Sequence, residues 1–157
     1  MSRQPSMREI CIHEAGHAVM ARAVGVLISH IEITPDENSL GRCHTVASRF
    51  NKLSQTDWAA VFYAGFVAQR RVNPNCRLHS LDLENFNTCL KGASPAMREA
   101  VIARVEATIA ARWDEVEHLA DELERCNGLY SLELEKLGYW WPAPPVRDSA
   151  LWRSLTG

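Results

Sequence analysis

Thiolate pairs, membrane-length apolar runs and surplus positive charge are all missing from this chain, and each absence removes a class of function. The five cysteines, Cys11, Cys43, Cys76, Cys89 and Cys126, are odd in number, widely spaced and form no C-x-x-C pair. That argues against both a disulfide framework and a thiolate zinc site, and they read as reduced core thiols. No apolar run approaches the roughly 20 residues that cross a bilayer, and residues 1–7 are polar rather than a charged-then-apolar leader. A cytoplasmic protein without a membrane segment is expected. Seventeen Lys and Arg against nineteen Asp and Glu leave a net charge of −2, with the basic residues scattered, so nucleic acid is not an expected partner. What remains, 157 residues with 46% hydrophobic and 23% charged content, is the composition of a globular protein with one core of ordinary size.

Against that background one pentapeptide stands out, His13-Glu14-Ala15-Gly16-His17. In a helix, residues four apart share a face, so His13 and His17 can aim two imidazole nitrogens at a single Zn²⁺ while Glu14, one position round, reaches a water on that metal. Such a pattern arises by chance in fewer than about one in a hundred chains of ordinary composition, so accident is a weak rival. A solvated polar face is the other rival, and the neighbours speak against it. Ala18-Val19-Met20-Ala21 and Ala23-Val24 are small and apolar, which implies a buried helix whose polar groups need partners. Gly16 costs roughly 1 kcal/mol relative to Ala inside a helix and implies close approach by another backbone or by a metal cluster.

Periodicity places this motif on a helix from Met7 to Val24 that stops at Gly25. A strand from Val26 to Thr34 follows, then a turn at Asp36-Glu37-Asn38-Ser39, then a strand from Gly41 to Ala47; an antiparallel pair beside the first helix is the simplest topology. Trp58, Val61, Phe62, Gly65, Phe66 and Ala68 fall at helical spacing within Gln55–Arg71, with Ser54 or Thr56 as N-cap, and read as core packing. Ser80–Lys91 predicts another helix, opened by the acids Asp82 and Glu84. After Ser94-Pro95, apolar residues recur every three to four positions to Cys126, which predicts one long amphipathic helix ended by Asn127-Gly128. Leu132–Leu137 predicts a short helix. The chain is therefore divided into a domain of residues 1–138 and a Pro/Trp-rich tail of residues 139–157, which suits packing against the domain or docking of a protein partner or a second copy.

Two histidines do not complete a catalytic zinc site, which takes three protein ligands and keeps a fourth position for water. His30, Glu32, His44, His79, Asp82, Glu84 and His118 are the candidates for the third. The segment His79-Ser80-Leu81-Asp82-Leu83-Glu84 follows a predicted loop and opens a helix, so it can be aimed at a facing element. Spacing alone leaves Asp82 equally readable as a solvated acid at a helix N-terminus.

Beyond the pentapeptide, the chain resembles the peptidase domain of the FtsH family, the M41 zinc metallopeptidases. Ile31-Glu32-Ile33-Thr34-Pro35 with Leu40-Gly41 is similar to the strand that follows the zinc helix there. Tyr63-Ala64-Gly65-Phe66-Val67-Ala68 resembles the family's Ala-Gly-x-x-Ala helix, Ser80-Leu81-Asp82-Leu83-Glu84 its aspartate segment, and Leu119-Ala120-Asp121-Glu122-Leu123 its closing helix. The likeness spans Met7 to Leu137. It implies an α+β, mostly helical fold, with a zincin-like HExxH helix, a small β-hairpin and a C-terminal helical bundle. It also implies Zn²⁺ held by His13, His17 and Asp82, with Asp82 preferred over Glu84, and Glu14 as the catalytic base. Phe86-Asn87 departs from the family's Ala-Thr pair. No G-x-x-x-x-G-K-[ST] phosphate loop occurs, so a stand-alone peptidase without ATP dependence is expected.

The chemistry implied is hydrolysis of a protein or peptide: zinc lowers the pKa of a water, Glu14 takes its proton, and the hydroxide attacks a peptide carbonyl. The substrate would lie extended along the Gly41–Ala47 strand. The alternative is a zinc-binding regulatory or interaction protein with little or no peptidase activity, against which an intact Glu14 counts.

Overall fold

The computed structural model describes residues 4–33, 42–46, 53–129, 134, 136 and 137. Its elements in chain order are α1 (Met7–Val24), β1 (Leu27–Glu32), β2 (Arg42–Val46), α2 (Gln55–Val72), α3 (Ser80–Cys89), α4 (Pro95–Ala111) and α5 (Trp113–Cys126). The described chain is mostly helical, as expected.

Helix α1 is the centre of the fold, and its ends are chemically specified. Ser6 and Glu9 form a reciprocal capping box: the Glu9 amide donates to Ser6 Oγ at 3.1 Å and the Ser6 amide donates to Glu9 Oε2 at 2.7 Å. Gly25 ends the helix at φ 86°, the left-handed conformation in which a Cβ would be strained. Between these caps nearly every residue from Glu9 to Ala21 is buried, which is the pattern of a helix enclosed by neighbours rather than one lying on a surface. Helices α2 and α5 pack against it, and α4 packs mainly on α2. Asn73, which caps the end of α2, donates from Nδ2 to Glu9 Oε1 at 2.5 Å and ties that end to the start of α1.

Small residues set the closeness of α1 and α2. Ala15, Ala18, Ala59, Ala60, Ala64 and Ala68 are all fully buried. A Cβ on Gly16 would stand 2.6 Å from Ala68 Cβ and 2.8 Å from the Ala64 carbonyl oxygen. Gly16 therefore serves the approach of another backbone, the first of the two purposes its position suggested.

β1 and β2 form an antiparallel pair with Leu27 opposite Val46, His30 opposite His44 and Glu32 opposite Arg42, and an irregularity lies between Ile28 and His30. The other edge of β1 is engaged at Ile31, whose amide donates to the Leu129 carbonyl at 2.8 Å while the Leu129 amide donates back at 2.9 Å. Among the described residues, β2 pairs with β1 alone.

The long helix expected after Pro95 is two. Arg112, at φ −112° and ψ 24°, ends α4 and precedes α5 without a side-chain cap. No glycine or proline marks the break, and the apolar period runs through it, from Ile109 by way of Trp113 to Val116. Packing is the cause: α4 lies on α2, whereas α5 lies on α1, and one straight helix cannot follow both. Arg71 stacks over the Trp113 ring at 4.6 Å on this corner, and Arg22 of α1 pairs with Glu115 at 2.6 Å. Of the predicted Leu132–Leu137 helix only three residues are described, and Leu134 is buried. The tail of residues 139–157 lies outside the described residues. No helix among the described residues is long and apolar enough to cross a membrane. Cys11 is a buried free thiol whose pKa burial pushes up to about 12, consistent with a core role.

Candidate metal centre

His13 and His17 project from α1 toward α2 and α3, as residues four apart on one helix face must. Each imidazole is anchored from behind. His17 Nδ1 donates to the backbone carbonyl of Val61 at 2.7 Å, and His13 Nδ1 donates to Gln69 Oε1 at 2.9 Å. Both bonds assign the ring proton to Nδ1 and leave Nε2 as a bare lone pair on the inward side, the arrangement that metal-binding histidines need.

The third member arrives from α3. Asp82 Oδ2 stands 3.0 Å from His13 Nε2 and 3.2 Å from His17 Nε2, and the two Nε2 atoms are 3.1 Å apart. Three lone-pair atoms thus form a nearly equilateral triangle. With neutral rings no hydrogen lies between any pair, so the arrangement is repulsive unless a cation, a proton or a metal, sits among them. Ligand atoms bound tetrahedrally at 2.0–2.1 Å are about 3.3 Å apart, close to the observed sides, so the donor set and spacing fit zinc.

Without a metal, a proton on the imidazoles supplies that cation. Burial alone would lower the His17 pKa, but the charge and hydrogen bond of Asp82, with the charge of Glu14, outweigh it and push it up to about 9. Burial alone would raise Asp82, yet the charge of His17 and the hydrogen bonds from both histidines hold it well below the ordinary carboxylate range. Glu14 is 5% exposed, and burial raises its pKa above the usual value, with the charges of His13 and His17 partly offsetting.

Helix α3 carries one aromatic anchor. Phe86, its one fully buried residue, lies 4.8 Å from the Tyr63 ring, with Arg98 5.0 Å over it and donating from Nη2 to Asn87 Oδ1 at 2.8 Å. The Phe86-Asn87 pair thus helps dock α3 onto α2 and α4.

The other third-ligand candidates are placed elsewhere. His79 is the exposed N-cap of α3, its Nδ1 accepting from the Leu81 amide at 3.3 Å. Glu84 is exposed, beside Ser80, Asn87 and Lys91. His30 pairs with Glu32 at 3.5 Å in β1, and His118 lies on α5. The His44 side chain is outside the described residues. Among the described residues, His13, His17 and Asp82 form the one group of this kind. Sequence reasoning did not find Gln69 or the Val61 carbonyl. A polar residue at the edge of an Ala-rich helix face was the available signal for Gln69; a backbone oxygen leaves none. A scan against protein-family models gives no match for this chain, and a search of curated proteins gives none.

Proposed function

We propose that this protein is a zinc-dependent metallopeptidase, with His13, His17 and Asp82 as ligands and Glu14 as general base. The observation that carries this reading is the convergence of three lone-pair atoms at 3.0–3.2 Å beside a buried carboxyl. The resemblance of His13-Glu14-Ala15-Gly16-His17 and the later segments to FtsH-type peptidases supports it. So does β2, which among the described residues pairs with β1 alone and would offer its other edge to an extended peptide.

When bound, zinc supplies Lewis acidity, lowering the pKa of a water toward neutrality and polarising a carbonyl. The chain's own residues do the rest. The Val61 carbonyl and Gln69 fix the ring tautomers and aim both Nε2 atoms inward. Phe86 and Arg98 hold α3 so that Asp82 completes the set. Glu14, buried on the same helix one position from His13, would take the proton of the attacking water and pass it to the leaving amine.

The test compares parent and Glu14→Gln proteins for zinc content and for cleavage of unfolded casein, with a chelator control. Both should carry one zinc per chain, and the variant should lose about 10²–10⁴-fold in rate. A Glu14→Gln protein that cleaves as fast as the parent removes Glu14 from the mechanism. Zinc without cleavage of any substrate by the parent would favour a regulatory zinc-binding protein.

A further inference from the structure

The backbone of α2 passes the ligand cluster at Gly65. A Cβ built there would stand 2.5 Å from His17 Nε2, 2.7 Å from His13 Nε2 and 2.8 Å from His17 Cδ2. The two closest atoms are the ones that would bind the metal. Real side-chain carbons do not approach other atoms so closely, so any residue other than glycine would push both imidazoles aside. Gly65 has no conformational reason to be glycine: it lies inside the regular helix Gln55–Val72, and its φ is not positive. Glycine is less favourable than alanine in such a helix, and the neighbouring buried positions 59, 60, 64 and 68 are alanine. Gly16 differs, because a Cβ there would meet the backbone and a methyl group of α2 rather than a ligand.

We infer that Gly65 is a positioning residue of the metal centre: its bare Cα reserves the space in which His13 and His17 present Nε2 side by side. This rests on the metal reading above and adds that α2 forms one wall of the centre, with no side chain permitted at position 65. Helix α2 thereby acts on both ligands from two directions. The Val61 carbonyl holds His17 from behind, while Gly65 leaves the inward face clear.

The experiment measures zinc affinity by chelator competition, and thermal stability of the metal-free protein, for the parent and Gly65→Ala. Displacing a supporting group around a metal site costs about 10–100-fold in affinity; with both ligands displaced, a loss on the order of 100-fold is expected. The same substitution is also made in a His13→Ala/His17→Ala background, where the atoms that clash are gone. There Gly65→Ala should leave the melting temperature unchanged or raise it, because alanine is the better helix former. Parent-like zinc affinity in Gly65→Ala overturns the inference, as does an equal drop in melting temperature in both backgrounds, which would make Gly65 a helix-packing residue. A parent protein that takes up no zinc overturns the metal reading itself.

Discussion

Removing the Phe86 side chain should separate Asp82 from His13 and His17 without dismantling the core around α1. Phe86 is 1% exposed and, with Leu90 at the helix end, supplies the buried apolar attachment of α3. Burial of the ring contributes about 1.5–3 kcal/mol, its contact with Tyr63 about 0.5–1.5 kcal/mol and the Arg98 guanidinium about 0.5–1 kcal/mol. The sum agrees with the roughly 3–5 kcal/mol that Phe→Ala costs in cores. The remaining ties are the contacts of Asp82 with His13 and His17, the Arg98–Asn87 hydrogen bond and the half-buried Cys89, so the loss weakens the docking of α3. Once docking is unfavourable, each further 1.4 kcal/mol lowers the apparent affinity for zinc about tenfold, because binding must first restore α3. For Phe86→Ala we expect zinc affinity at least about tenfold weaker and loss of hydrogen-exchange protection confined to residues 80–90. Chelator competition and amide exchange with mass spectrometry measure the two. If the melting temperature falls while zinc affinity and α3 protection stay at parent values, Phe86 is ordinary core and does not position Asp82.

Two other outcomes follow from the same geometry. In chelator-treated protein, His17 has a folded-state pKa raised from 6.5 to about 9, so its contribution is fully present below pH 6.5 and is lost as pH rises through 9. The raised pKa of Glu14 acts in the same direction, whereas the lowered pKa of Asp82 contributes above about 3.8 and fades as pH falls further. The melting temperature of the metal-free protein should therefore decline between pH 6.5 and 9, and a flat profile would show that the cluster is not ion-paired. Gly16→Ala places a Cβ 2.6 Å from Ala68 Cβ and 2.8 Å from the Ala64 carbonyl. Overpacking costs about 1–3 kcal/mol, against the roughly 1 kcal/mol that alanine gains in a helix. The denaturation midpoint should fall, and a higher midpoint would mean that α1 and α2 can separate at no cost.

Much of the candidate site was legible because the information is local. The apolar period of residues 7–24 lies within α1 and Gly25 directly follows it, so the helix could be bounded without knowledge of its neighbours. His13 and His17 are one turn apart, so their common face follows from helical geometry. The α4–α5 break at Arg112 was not legible, because the apolar period continues through it and the bend is imposed by different partners on either side.

The sequence by itself determined a buried helix with two imidazoles on one face and a carboxyl between them, since 3.6-residue periodicity and capping chemistry are properties of adjacent residues. The resemblance preferred Asp82 over Glu84, but only the tertiary structure brings Asp82 to those imidazoles, since 65 residues separate it from His17 and the meeting depends on how Phe86 seats α3 against Tyr63. It also decided which ring nitrogen faces inward, through the Val61 carbonyl and Gln69. Those partners are distant in the chain and, for a backbone oxygen, carry no residue identity that a sequence could record.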